Sequence, residues 1–157
     1  MKSRTVVIVI DGVLRKVIGN DPIPDGLILF SALASQFSVV LIGNKQSDMV
    51  WLIQQGVRCD TLRISDDVSH ANLVDTIRFE YGYDIAFVVE PDPEQGANLF
   101  DAGYTVLGFT HPYYSHPSWR PLDGSETPAE TWTELRGVVV RDRLMRASDE
   151  RTATRDE

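Results

Sequence analysis

The chain has 157 residues, enough for one domain with a sizeable core, and carries 23 acidic against 15 basic side chains for a formal net charge of −8. Its Lys and Arg are scattered, with no basic run longer than Arg15-Lys16, so nucleic acid is disfavoured as the main partner. The single cysteine, Cys59, excludes a disulfide within the chain, and no charged-apolar-small leader opens it; a cytoplasmic protein with no membrane association is expected.

In chain order, Val6-Val7-Ile8-Val9-Ile10 is a run of five β-branched residues followed at once by Asp11-Gly12-Val13-Leu14. Such a run reads as a strand buried on both faces, delivering a polar turn to the sheet edge where open α/β sheets bind ligands. Arg15 to Pro24 is a short polar linker with turn chemistry at Asp21-Pro22 and Pro24-Asp25-Gly26. Leu27, Phe30, Leu33, Ala34 and Phe37 recur at helical spacing and predict a helix over 25–36. Val39 to Ile42 is a second buried strand, ending in Gly43-Asn44-Lys45, which on its own reads as a turn. Ser47 caps a helix reaching about Gln55, in which Met49, Trp51, Leu52 and Ile53 are expected to pack. Residues 59–64 form a weaker strand suited to a sheet edge.

Ser65 to Ser69 is a loop, and Ser69 caps a helix from His70 to about Tyr81 with Leu73, Ile77 and Tyr81 on its apolar face. Ile85 to Val89 is a fourth strand; Glu90-Pro91-Asp92-Pro93-Glu94 is a rigid acidic turn that starts a helix over 93–102, with Pro93 at its first position. Tyr104 to Phe109 is the fifth strand. Five strands alternating with four helices predict an α/β fold: a three-layer Rossmann-like sandwich around a parallel five-stranded sheet.

The stretch Val6 to Leu14 resembles the first motif of the haloacid dehalogenase (HAD) superfamily, in which one Asp attacks a phosphorus or carbon centre and a second, two residues on, moves the proton. Asp11-Gly12-Val13-Leu14 fit its second half, while Val9 holds the nucleophile's position, and Val can neither attack nor ligate a cation. The resemblance covers Thr5 to Phe109 and implies the strand order 3-2-1-4-5. It places Gly43 where the second motif has a Ser or Thr, no Lys between Ser65 and Tyr83 where the third motif has one, and Glu90 where the fourth has an Asp that holds Mg2+. It implies a pocket built from Asp11, Gly12, Gly43, Asn44 and Lys45, suited to a phosphate-type ligand, and a weak metal set of Asp11, Glu90 and Asp92. His70 is the nearest stand-in for the missing Lys, although a His at a helix start is more commonly solvated or capping. The short linker after the first strand resembles the capless class of the superfamily.

Beyond the core, 110–127 holds His111, Tyr113, Tyr114, His116 and Trp119 among several prolines, which forbid regular structure. Tyr113, Tyr114 and Trp119 are the candidate protein-partner surface of a 111–121 loop. His111 and His116 lack a third ligand at metal-site spacing, so packing is expected of them. Thr127-Pro128-Ala129-Glu130 is a capping box opening an extra C-terminal helix over 128–146, with Trp132, Leu135 and Val139 as its buried stripe; 147–157 is expected to be a disordered tail to a single domain spanning 1–146. The loop and Trp-bearing helix resemble small HAD-like proteins of bacteriophages infecting actinobacteria, which would place the protein in a host cytoplasm.

Two functions are expected from this pattern. The first is a non-catalytic HAD-like protein that needs no cofactor and binds a partner protein or phosphate-type ligand, or whose pocket is a relic. The second is an Mg2+-dependent phosphatase or nucleotidase with altered chemistry, Asp11 serving as base.

Overall fold

The computed structural model describes residues 4–58, 61–111 and, near the chain end, 136, 137, 139–141, 143–145, 147 and 148. Five strands, β1 (Thr5–Val9), β2 (Ser38–Gly43), β3 (Thr61–Ile64), β4 (Ile85–Glu90) and β5 (Val106–Gly108), alternate with four helices, α1 (Pro24–Ala34), α2 (Asp48–Gln54), α3 (His70–Glu80) and α4 (Pro93–Asp101). All strand pairings are parallel and the order is β3-β2-β1-β4-β5, so the Rossmann-like α/β architecture expected from the sequence is present. Among the described residues no helix is long and apolar enough to cross a membrane.

β1 occupies the centre because every one of its residues is buried, which only a strand covered on both faces permits. Its side chains alternate between two cores. Val6, Ile8 and Ile10 face Phe30 of α1 and Trp51 and Leu52 of α2, while Val7 and Val9 face Ala71, Val74 and Ile77 of α3 and Leu99 of α4. Helices thus cover both faces, and the carboxyl ends of β1, β2 and β4 bring residues 11, 43 and 90 to one edge.

Several boundaries differ from the sequence expectation. β5 is confined to three residues, because Tyr104 is buried ahead of it, its hydroxyl donating to Asp75 of α3. Of the apolar residues of α2 only Trp51 and Leu52 are buried, whereas Met49, Val50 and Ile53 are exposed: a helix resting on a sheet buries one stripe, and Trp51 takes it by reaching Asn20 O with its indole N–H at 2.8 Å. In α3 the inward face is Ala71, Val74 and Ile77, while Tyr81 lies outside the helix under the Arg63 guanidinium at 4.0 Å.

At the chain end the described residues between 136 and 148 are helical, and they include Ala147 and Ser148, the first two residues of the expected disordered tail 147–157; Ala is the strongest helix former because it loses no side-chain entropy there. Val139 of the expected stripe is buried, and Arg136 and Arg143 bond Asn98 and Glu94 of α4 at 3.0 and 2.8 Å. Trp132 and Leu135, like Tyr113, Tyr114, His116 and Trp119, lie outside the described residues.

α1 meets the turn after β1 at Gly26 so closely that an added Cβ would lie 1.6 Å from the carbonyl oxygen of Val13. Backbone cannot yield as a flexible side chain does, so Gly26→Ala should destabilise the fold by about 3 kcal/mol or more, read as a lowered urea midpoint at unchanged slope.

Candidate functional site

The chain leaves β1 at Val9, and Ile10 begins a tight turn whose carbonyl oxygen accepts from the backbone N–H groups of Val13, Leu14 and Arg15. Gly12, at φ 94°, supplies the left-handed residue the turn requires, and its N–H donates to Arg15 O at 2.7 Å. This curl swings Arg15 back under Asp11. The Arg15 guanidinium is 4% exposed and bridges two carboxylates, meeting Asp11 Oδ1 at 2.7 and 2.8 Å and Asp48 Oδ1 at 2.8 Å, with the Trp51 ring stacked 5.2 Å from it. Asp11 Oδ2 accepts from the Asn44 side-chain amide, whose own Oδ1 accepts from Ser65 Oγ.

Asp48, fully buried in the first turn of α2, closes the arrangement: its Oδ2 accepts the backbone N–H groups of Asn44 and Lys45 at 2.8 and 3.2 Å. An added Cβ on Gly43 would lie 2.7 Å from that same oxygen. The glycine at the end of β2 is therefore what lets Asp48 fill the turn, and a Ser or Thr there would displace it. Burial works to raise the Asp48 pKa, but the guanidinium and the two N–H groups outweigh it and hold the carboxyl below its ordinary range; for Asp11 burial prevails over Arg15 and the shift is upward.

Across the sheet edge lies a cleft of about 520 Å³ lined by Val9 and Asp11 after β1, Asp67 and His70 at the start of α3, and Glu90 and Asp92 after β4. Glu90, 1% exposed, accepts His70 Nδ1 on Oε2 at 2.5 Å and the Asp92 backbone N–H on Oε1 at 3.1 Å. Ser69 caps α3 by accepting from Asn72 N, and Asp92 caps α4 by accepting from Glu94 N, so both helix starts are fixed at the cleft. Gln95 ties them together, its Oε1 accepting from His70 N at 3.1 Å. Burial lowers the His70 pKa, but the hydrogen bond and charge of Glu90 more than restore it; burial raises that of Glu90, partly offset by His70. The pair therefore retains its proton above the ordinary range of either group. The cleft's lip carries Asp66 and Asp67 at φ 41° and 64°, a conformation Asp tolerates and most side chains do not.

Set against the sequence expectations, Asp11, Asn44 and Glu90 do share one cleft. Gly12, Gly43 and Lys45 do not line it, and the N–H groups of Gly12, Asn44 and Lys45 are spent on partners within the chain. Asp11 and Glu90 have both carboxylate oxygens engaged, and among the described residues no three His, Cys, Asp or Glu side chains gather as a metal site, so Asp11, Glu90 and Asp92 do not fit Mg2+. His111, outside the cleft, bonds Asp25 at 3.0 Å. Sequence reasoning missed Arg15, whose signal was an Arg four residues after Asp11 within an otherwise short linker, and it undervalued His70, which is 14% exposed and pairs with Glu90. No protein-family model matches the chain, and no curated protein matches it in sequence.

Breaking the buried Arg15 clasp leaves a cation without one of its anions, so Asp48→Ala should cost about 3 to 5 kcal/mol. Because the folded pKa of Asp48 is depressed, its contribution is present above the unfolded carboxylate range and lost as pH falls through the folded value; the acid arm of the urea stability profile should flatten in the variant. His70 has the opposite sign. Its folded pKa is raised, so its contribution is complete below the unfolded value and lost as pH rises through the folded one, and the difference in stability between wild type and His70→Gln should shrink toward alkaline pH.

Proposed function

We propose that this is a HAD-like protein in which phosphoryl transfer has given way to binding, the cleft at the carboxyl edge of the sheet being the seat of a small ligand. The observation that carries this reading is Val9: it lines the cleft at the position where the resemblance calls for the nucleophilic carboxylate. The neighbouring carboxylate does not take that group's place. Asp11, the other carboxylate of the motif, is clasped by Arg15 and Asn44, and Arg15 occupies the cationic role that a metal would otherwise fill between acidic side chains. Loss of a covalent nucleophile removes several orders of magnitude of rate.

A phosphate-type ligand is disfavoured within this reading. The two N–H groups of the turn after β2 that would hold a phosphoryl oxygen already hold Asp48, and Asp11, Asp67, Glu90 and Asp92 surround the cleft with negative charge. A protein partner on Tyr113, Tyr114 and Trp119 is compatible with this use of the cleft.

Purified protein should release phosphate from p-nitrophenyl phosphate with Mg2+ at the buffer rate, and Asp11→Asn should behave identically. Turnover by the wild type that disappears in Asp11→Asn would replace binding with an altered phosphatase.

A further inference from the structure

We propose that the cleft takes a small zwitterion of the α-amino acid type, its carboxylate on His70 and Gln95, its ammonium on Asp67 and Asp92, and its aliphatic part on Val9, Val17 and Val68. The inference rests on the binding role proposed above and names the ligand's chemistry.

The donors come from the dyad. Glu90 takes His70 Nδ1, so Nε2 is the polar atom His70 can offer the cleft it lines. In Gln95, Oε1 is spent on the His70 backbone N–H, which leaves the amide NH2 as the group to offer. The two side chains are adjacent, line the same cleft, and have no further hydrogen bond among the described residues. With His70 protonated the two side chains can offer the cleft they line an N–H and an NH2, the donor types that receive a carboxylate.

An isolated anion would meet Asp11, Asp67, Glu90 and Asp92 around those donors. Glu90 is paired with His70, and Asp11 shares Arg15 with Asp48, which leaves Asp67 and one oxygen of Asp92 as the acceptors the cleft can offer a cation. Asp67 has no hydrogen bond or ion pair among the described residues; Asp92 uses Oδ1 to cap α4 and to meet Arg143 at 3.5 Å, leaving Oδ2. A cation is what these two would hold. The Nε2–H of a Glu90-paired imidazolium, the Asp67 carboxylate and Asp92 Oδ2 on one small cleft suit a molecule carrying both a carboxylate and an ammonium, and the valines that line the same cleft suit its aliphatic portion. The volume of about 520 Å³ admits a ligand of this size.

The affinity should follow the proton on His70. The titratable groups that line the cleft with that ring are Glu90 from β4, Asp92 from the start of α4, Asp67 from the loop before α3 and Asp11 after β1, all acidic, with Arg15 paired to Asp11 and Arg143 to Asp92. Raising the pH through the folded pKa of His70 turns Nε2 from donor to acceptor and should weaken carboxylate binding.

The test is titration calorimetry of full-length protein with leucine, with 4-methylpentanoate, which lacks the ammonium, and with 3-methylbutylamine, which lacks the carboxylate. Leucine should bind saturably, each analogue about tenfold or more weakly, and leucine affinity should fall from about pH 6 to about pH 8.5 in wild type but stay flat in His70→Gln. Asp67→Asn, which keeps a residue tolerant of positive φ, should weaken leucine and spare 4-methylpentanoate, and serves if His70→Gln fails to fold. Equal binding of the three compounds, or no saturable leucine binding, overturns the assignment. Phosphate release measured on the same preparation separates the failures: turnover sinks the binding role itself, whereas its absence beside absent leucine binding sinks the zwitterion alone.

Discussion

One buried guanidinium holds the functional edge of this protein together. Arg15 is drawn inside only because two carboxylates from different elements receive it, Asp11 after β1 and Asp48 at the start of α2, with the Trp51 face beneath. Taking three charges out of water costs more than their attraction returns unless the remaining lone pairs are satisfied. They are: Asp48 collects two backbone N–H groups and Asp11 an amide. The turn at Gly12, the glycine at 43 and the position of Trp51 each follow from this demand, since each brings or makes room for a partner.

The clasp also constrains the residues at 9 and 43 together. An Arg bound between Asp11 and Asp48 supplies internally the positive charge that acidic motifs otherwise draw from a metal ion, and Asp48 supplies the anion for the N–H groups after β2. Once both are built in, a hydroxyl at 43 would collide with Asp48, and a carboxylate at 9 would add a charge to a cleft that is already acidic. The opposite wall is then free for a different polar pair, His70 and Glu90.

The architecture was legible because burial on both faces leaves a plain mark: the β-branched run at 6–10 and the Val39-to-Ile42 segment alternate with segments of helical periodicity, and parallel winding has few solutions. Glycines at 56, 82 and 103, all at positive φ, mark where helices end, because glycine takes that conformation without the clash a Cβ would bring. The site was legible only in part. Asp11 and Glu90 are fixed by the ends of strands, and their meeting at one edge follows from topology. Their partners were legible unequally: Arg15 follows Asp11 by four residues, but Arg15 to Asp48 spans 33 residues and His70 to Glu90 spans 20, and neither of those two pairings leaves a local spacing. Met49 and Ile53 show the other limit, since apolar composition does not say which stripe of a short helix turns inward.

The end of the chain is wired to the cleft. Arg143 reaches Glu94 at 2.8 Å and Asp92 at 3.5 Å, and Asp92 both caps α4 and forms part of the cleft wall, its backbone N–H resting on Glu90. The C-terminal helix and the cleft wall therefore share one carboxylate. Two contacts that share a charge are thermodynamically linked, and the linkage is reciprocal: whatever displaces Arg143 changes the charge on the cleft wall, and whatever changes Asp92 changes how firmly Arg143 is held.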